Sequence, residues 1–540
     1  MAQAAATLDN AVPLIEEQVE TGLKALLDGY RPAYTPGGEK KDELLKRFML
    51  HPTKPLPEFD TPYAKAFEAR DDFNEARRVF ALVCDDSLAY YRHHVIAPLS
   101  GVTIAHMTSL LGAGTVYCSH LNGMRQVLFF ERPSGTNSPL SDVVRTQTRL
   151  HEHKIIDHVL QPISEALIAL RDLKVSHGNI HPGSILVGEN TVLKECISSP
   201  CGSLGHYLYQ PLERLMANPL AQGEATEKTD MYAIGILVLE LMFGLEKIKA
   251  MQLAAFIANA INEGAYNILM NNRECSEAFQ DLFRGALNDN PAERWGLDQL
   301  AQWLGGKRFN MIAPTPAKEA ARPFTFAATD YFSRRLLAHA LHRNWRGAIT
   351  DLKSLKLDRW CENSLHRPEL AEKIDRVQRI GTDPAATDKQ VSDMMTRTIT
   401  LLDPIGPLRT LSLSVRPESI GLLYADAMLQ NKPELPQLIG LIEHDVASFW
   451  SEQADANKNA DVSQAVWKLQ KAKANLKRKA IGFGVERILY DLNPALPCQS
   501  PLLKPYNVTT VVEALQTLDS IAKNHAPNAS FMDVRSESVV

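Results

Sequence analysis

The sequence predicts an α+β chain in which a small β-rich unit is followed by a larger helical unit and then by a separate all-α domain. Three observations predict it. Between residues 56 and 132 the runs Arg78–Cys84, Thr115–His120 and Arg125–Glu131 are short and rich in β-branched, aromatic or aliphatic residues, and Asn122-Gly123 between the last two is a strong hairpin signal. From 133 to 308 the period changes: residues 156, 159, 160, 163, 167 and 170 put one apolar face on a helix over 155–170, mildly interrupted by Pro162. Beyond a Pro- and Ala-rich stretch, residues 325–525 read as a series of helices separated by Gly and Pro breaks.

Length and composition bound the rest. A chain of 540 residues is too long for one core, since domains run to about 100–200 residues. Hydrophobic residues are 45%, charged residues 22% and the net charge is −5, an ordinary soluble profile that indicates neither a nucleic-acid binder nor an acidic tail. The seven cysteines (Cys84, Cys118, Cys196, Cys201, Cys275, Cys361 and Cys498) are odd in number, scattered and without a C-x-x-C pair, which points away from a disulfide framework or a zinc site and fits a reducing cytoplasm. The first residues carry no basic segment followed by an apolar core, and no apolar run reaches about 18 residues. A cytoplasmic protein without a membrane span is expected.

Taken in order, residues 1–55 are expected to form an N-terminal helical extension and linker: a helix with apolar positions from Val12 to Leu27, a short helix at Leu44–Met49, and the Pro-rich run His51–Pro57. The β-rich unit covers about 56–132, the helical unit about 133–308, and residues 309–324 form a linker. The helical domain spans 325–525. The polar tail 526–540 is expected to be disordered. No fixed-period repeat is present, so a solenoid is not supported.

The functional signal is the stretch His177-Gly-Asn-Ile-His-Pro-Gly-Ser-Ile-Leu186, which sits between the long helix and a short apolar strand. It resembles the catalytic loop of protein kinases, H-R-D-L-x-x-x-N, with Asn179 at the catalytic aspartate and Ser184 at the magnesium-binding asparagine. Further segments resemble the same family in the same order. Ile185–Val187 and Val192–Leu193 match the two strands after the loop, Cys196-Ile-Ser198 stands at the metal-binding D-F-G, and Pro211-Leu-Glu-Arg214 at A-P-E. Thr229–Gly244 matches the D-x-Y-x-x-G helix, and Asn288–Arg294 the D-P-x-x-R segment. In the small lobe Phe80–Val83 stands where V-A-I-K would, with Val83 at the phosphate lysine; Thr61–Phe67 occupies the glycine-loop region, and Phe130–Gly135 reads as the hinge.

The resemblance implies a protein-kinase-like two-lobe domain over 56–308 and a degenerate catalytic set: Val83, Asn179, His181, Ser184 and Cys196, with His181 replacing the lysine that contacts the transferred phosphate. An amide cannot serve as general base at neutral pH, and a thiol is a poor ligand for hard magnesium. It also implies that architectural residues are kept. Glu213 would pair with Arg294, Asp230 would accept backbone N–H groups of the 177–179 loop, His177 would dock beneath that loop, and Pro182 would hold its turn. The expectation is a catalytically inactive pseudokinase, a scaffold or allosteric regulator with protein partners and no cofactor or metal. The alternative is a divergent phosphotransferase or nucleotidyltransferase drawing on Glu189, Glu195 and His181, and a third possibility makes the C-terminal helices the active part.

Other signals have plainer readings. The basic run Lys468–Lys479 places Val466, Leu469 and Leu476 at helical spacing and reads as the solvated face of a helix. Gly482–Glu486 follows a helix and no strand, so it reads as a turn. His151, His153 and His158 lack a carboxylate or cysteine at fixed spacing, which disfavours a metal site.

Overall fold

The computed structural model describes residues 47–524 apart from 62, 85–90, 119–120, 122, 134–137, 147–148, 203, 314–318, 353–356, 384, 454–459, 479 and 481. The helix expected over 12–27 and the tail 526–540 lie outside the described residues.

The small lobe is a five-stranded antiparallel sheet in the order β1-β2-β3-β5-β4, formed by β1 (Phe48–Pro55), β2 (Ala64–Asp71), β3 (Arg78–Cys84), β4 (Leu110–Cys118) and β5 (Gly123–Glu131). The β4–β5 hairpin closes with Cys118 opposite Gly123, at the Asn-Gly signal. One helix, α1 (His93–Leu99), lies between β3 and β4 and buries Val95 and Leu99 in the core. Alternation along β3 sends Phe80, Leu82 and Cys84 into the main core and Val79, Ala81 and Val83 to the opposite face, where Phe48 stacks on Phe129 at 4.6 Å.

One expectation fails here. The run 51–57, read as a linker, and the end of the short helix read at 44–49 are largely strand β1. Pro52 and Pro55 fit in it because β1 is an edge strand bonded only to β2, and its pairing shifts between Leu50 and Pro55.

The large lobe follows as helices. Before α2 (Gln161–Asp172) the chain runs as a π-helical turn over Ile156–Leu160. Pro162 supplies the reason: it has no N–H to give the His158 carbonyl four residues back, and that carbonyl accepts the Thr191 hydroxyl instead. A small sheet of β6 (Ser138–Pro139), β7 (Ile185–Val187) and β8 (Val192–Leu193) flanks the loop that α2 delivers. The helix α3 (Glu227–Phe243) is buried all round from Thr229 to Leu241, and its N-terminus is capped by Thr226, whose hydroxyl accepts from Thr229 N–H.

Residues 324–524 are mainly helical, including α4 (Arg334–Arg343), α5 (Ile420–Leu429) and α6 (Ala460–Leu476). Two short hairpins interrupt them: β9 (Phe324–Phe326) with β10 (Thr329–Tyr331), and β11 (Leu408–Thr410) with β12 (Leu413–Val415). The apolar interior is in two main clusters, one over 320–402 and one over 408–489 that also takes in Ala221 of the large lobe. The helical region is therefore packed onto the kinase-like part. Among the described residues no helix is long and apolar enough to cross a membrane.

The glycine of the D-x-Y-x-x-G helix has a packing reason. A Cβ on Gly235 would meet Leu287 Cδ2 at 2.8 Å and Ala286 Cβ at 2.9 Å. The crowding outweighs the helix propensity of alanine, so Gly235→Ala is expected to destabilise the chain by about 1–2 kcal/mol, read as a lower urea midpoint at unchanged slope.

Candidate functional site: the interlobe cleft

The loop that follows α2 is held from below by one carboxylate. Asp230, in the first turn of α3, accepts from His177 N–H and Gly178 N–H, both at 2.7 Å. Burial pushes its pKa up to about 6 against the pull of those two N–H groups and of Arg92 and Arg214. His177 is fully buried. Its Nδ1 accepts from Asn179 N–H at 3.2 Å, so Nε2 carries the hydrogen toward the Lys194 carbonyl at 3.3 Å. Burial holds this ring neutral, with its pKa down to about 4.

Asn179 and Ser184 are bonded within the loop and its neighbours, and Cys196 is buried. The Asn179 amide ties the loop to the segment that follows it: Nδ2 donates to the Ser198 carbonyl at 3.3 Å and Oδ1 accepts from Gly202 N–H. Ser184 Oγ donates to the His181 carbonyl at 2.9 Å and accepts His181 N–H at 3.1 Å, closing the short turn that Pro182 opens. Cys196 is buried and its thiol is pushed up to about 12 by burial, so it stays protonated. Glu195 faces the cleft, and its carboxylate accepts from Ile197 N–H, Ser198 N–H and Ser198 Oγ. Glu189 is exposed in the β7–β8 turn and lines a different depression with His158 and Lys154, so it is not brought together with Glu195 and His181.

Val83 requires a correction. It lies on the outer face of β3 with Ala81 and Phe129, while the cleft side of the strand shows Phe80 and Leu82. A period-2 strand read one residue out of step changes face, and nothing in the run of apolar residues fixes the step.

The cleft itself is narrow. Phe59, on the short turn Pro57–Phe59, stacks on Phe80 at 4.1 Å, and Phe80 stacks on Phe130 at 5.3 Å. Lys194 Nζ donates to the Glu58 carbonyl at 2.6 Å and lies over the Phe59 ring, and burial lowers its pKa. The remaining cavity is about 190 Å³, below the roughly 300–1,000 Å³ of ordinary small-molecule sites. His181 lines it. Its Nδ1 accepts from Gly183 N–H, its Nε2 is buried without a partner, and burial with His177, Lys194 and Lys249 nearby lowers its pKa to about 3.

Glu213 and Arg294 form a buried two-pronged pair at 2.8 and 3.1 Å, and Arg294 also donates to the Asn288 carbonyl at 2.8 Å and covers the Tyr232 ring. Burial opposes ionisation of Glu213, but Arg294 outweighs it and lowers the carboxyl pKa. Two further buried arginines were not read from the sequence. Arg92, at the start of α1, donates to the carbonyls of Ser176, His177 and Cys196 and to Glu224 at 2.8 Å, tying α1 to the loop. Arg214 donates to the Cys201 and Glu224 carbonyls and to Gln210. Their partners lie up to 132 residues away for Arg92, so no local pattern announces them.

Beyond the cleft, the C-terminal region grips the end of the segment that runs from the loop to α3. Asn218 N–H donates to the Ser414 carbonyl at 2.7 Å, Ser414 N–H to Asn218 Oδ1 at 2.7 Å, Arg416 N–H to the Ala221 carbonyl at 2.9 Å, and Gly223 N–H to Ser419 Oγ at 2.7 Å. Gly223, at φ +82°, also lets Glu418 approach to a distance that a Cβ would block. Among the described residues no group of three or more His, Cys, Asp or Glu side chains is placed to hold a metal ion.

No protein-family profile matches this chain, and no curated protein matches it either. Among solved structures it is similar to the crystal structure of Rad53 1-466 in complex with AMP-PNP, at 14% identity and a TM-score of 0.36, over 48% of this chain and 66% of that one. The match spans a little under two thirds of that chain's length. The strand order and the loop contacts described above carry the kinase-like fold.

The Asn179 amide must donate on one side and accept on the other, so Asn179→Asp sets a carboxylate against the Ser198 carbonyl. It is expected to cost about 1–3 kcal/mol in urea unfolding. The buried imidazoles give a pH dependence. Unfolded, His177 and His181 protonate near 6.5; folded, they resist until about 4 and about 3. The folded state therefore binds fewer protons, and their contribution to stability is full above pH 6.5 and falls as pH drops toward 4, by about 1.4 kcal/mol per pH unit for each ring. Asp230, raised to about 6, works in the opposite sense below that pH. His181→Asn keeps an acceptor for Gly183 N–H and is expected to flatten the stability–pH slope between 6.5 and 4 by one proton relative to the parent chain.

Proposed function

We propose that this chain is a kinase-like protein that does not transfer phosphate and works in the cytoplasm as a protein-binding scaffold or allosteric regulator. The observation that carries the reading is the Asn179 amide, which the resemblance would put at the catalytic base and which is committed to the Ser198 carbonyl and Gly202 N–H. Phosphoryl transfer depends on positioning and charge stabilisation, and here the amide at 179 cannot take a proton while the cleft carboxylate, Glu195, is already bonded to Ile197 N–H, Ser198 N–H and Ser198 Oγ, which removes most of the means of catalysis. The aromatic ladder Phe59–Phe80–Phe130 and the small remaining cavity support the same reading. So does the C-terminal grip on residues 218–223, which leaves this segment engaged within the chain.

The transferase alternative draws on Glu195, whose carboxylate is already bonded to its own neighbours, and on the unpartnered His181 Nε2 in the same cleft. Because Nδ1 accepts from Gly183 N–H, Nε2 carries the hydrogen and is a donor, which is the wrong role for a general base.

The test is thermal melting of the full chain with ATP and Mg²⁺ or Mn²⁺. No shift in Tm at millimolar nucleotide is expected; a saturable, metal-dependent rise together with phosphate transfer to any acceptor would overturn the reading.

A further inference from the structure

One helix of the C-terminal region carries a face that its packing does not use. α6 buries Val462, Leu469 and Ala472 in the apolar cluster over 408–489. Trp467, Lys471 and Ala474 fall on the face turned away from that cluster, by the 3.6-residue period of the helix. The chain has six tryptophans, and five of them, Trp295, Trp303, Trp345, Trp360 and Trp450, are buried. Trp467 is 59% exposed. Large apolar groups gathered on a surface mark interaction sites, and two more stand in the turn after α6, where Phe483 and Val485 are 37% and 39% exposed.

The same surface is basic in a chain whose net charge is −5. Residues 467–487 hold seven Lys and Arg against one carboxylate, Glu486. The cations alternate with the rings: Lys471 Nζ lies over Trp467 at 5.5 Å and the Arg478 guanidinium over Phe483 at 5.0 Å. Few carboxylates answer them. Among the described residues none pairs with Lys471 or Arg478, and Lys477 meets Glu443 only at 3.8 Å. Asp491, on the following helix, is taken up by Arg487 and Asn475.

We propose that this face docks on an anionic bilayer surface, with Trp467, Phe483 and Val485 entering the headgroup layer and Lys471, Lys477 and Arg478 meeting the lipid phosphates. Clustered cations on a helix gain from the negative potential of such a surface, and apolar side chains beside them add burial at the headgroup boundary. Single-stranded nucleic acid would answer to the same charge and could stack on the rings. The observations favour lipid: Val485 is aliphatic and offers nothing to a base, and each ring already has one face under a cation of its own chain. Because the opposite face of α6 is packed in the protein core, the attachment is peripheral and leaves the fold unchanged. The face lies outside the cleft, so the proposal stands or falls apart from the reading of the cleft as inactive.

The experiment is co-sedimentation of the full chain with vesicles of equal parts phosphatidylcholine and phosphatidylglycerol, with pure phosphatidylcholine as the neutral control, and tryptophan emission recorded on the same mixtures. Saturable binding to the anionic vesicles that weakens with added salt is expected, with none to the neutral ones. A blue shift of the emission is expected with it, and Trp467→Phe is expected to abolish the shift, since the other five indoles are already buried. Lys471→Gln and Arg478→Gln are each expected to weaken binding about fivefold, and Phe483→Ser about tenfold. All three side chains are exposed, so these variants are expected to keep the cooperative melt of the parent. Should one of them lose it, the vesicle preference and the emission of the parent chain decide. No binding to the anionic vesicles, equal binding to the neutral ones, a shift that survives Trp467→Phe, or unchanged affinity in the folded variants would overturn the proposal. A blue shift with poly(U) and none with vesicles would also overturn it, and would assign the face to single-stranded nucleic acid.

Discussion

The contact on which the rest of the kinase-like domain depends is the Asp230 carboxylate beneath the 177–178 backbone. It joins the most buried helix of the large lobe to the loop that faces the cleft, and both partners are withdrawn from water. A buried carboxylate is costly unless its lone pairs are used, and two directed N–H groups use them. Because α3 is packed on every side, the position of Asp230 is fixed by apolar burial, and the loop inherits that position. His177 then extends the order outward, through Asn179 N–H on one side and the Lys194 carbonyl on the other.

Three buried arginines extend this anchoring through the domain, and one of them, Arg92, ties the helix of the small lobe to the loop. Arg294 binds Glu213, Arg214 binds the carbonyls of Cys201 and Glu224, and Arg92 reaches from α1 to the loop carbonyls. The link between α1 and the loop therefore runs through one arginine and three backbone carbonyls, all of them groups of the chain itself.

The sequence revealed much of this, for reasons tied to particular residues. The helix over 155–170 and α3 were legible because their apolar spacing and the D-x-Y-x-x-G pattern are local, and the hairpin at Asn122-Gly123 because its turn chemistry is local. Strand β1 was hidden by Pro52 and Pro55, which read as a linker unless the strand is known to be an edge. Val83 was placed on the wrong face because a run of six apolar residues has no visible alternation. Arg92, Arg214 and the pairing of Asn218 with Ser414 were not legible at all, since each contact joins residues that only the tertiary fold brings together.

The amide at residue 179 has a structural role of its own. An aspartate there would have two acceptor oxygens and no donor, and one of them would face the Ser198 carbonyl. The amide resolves that conflict by donating to Ser198 while still accepting from Gly202. A carboxylate at 179 would remove the bond to Ser198 that holds the segment after the loop, beside a cleft already narrowed by Phe59 and Phe80. Only a side chain that both donates and accepts serves the Ser198 carbonyl and the Gly202 N–H together, and the loop of this chain is built around that requirement.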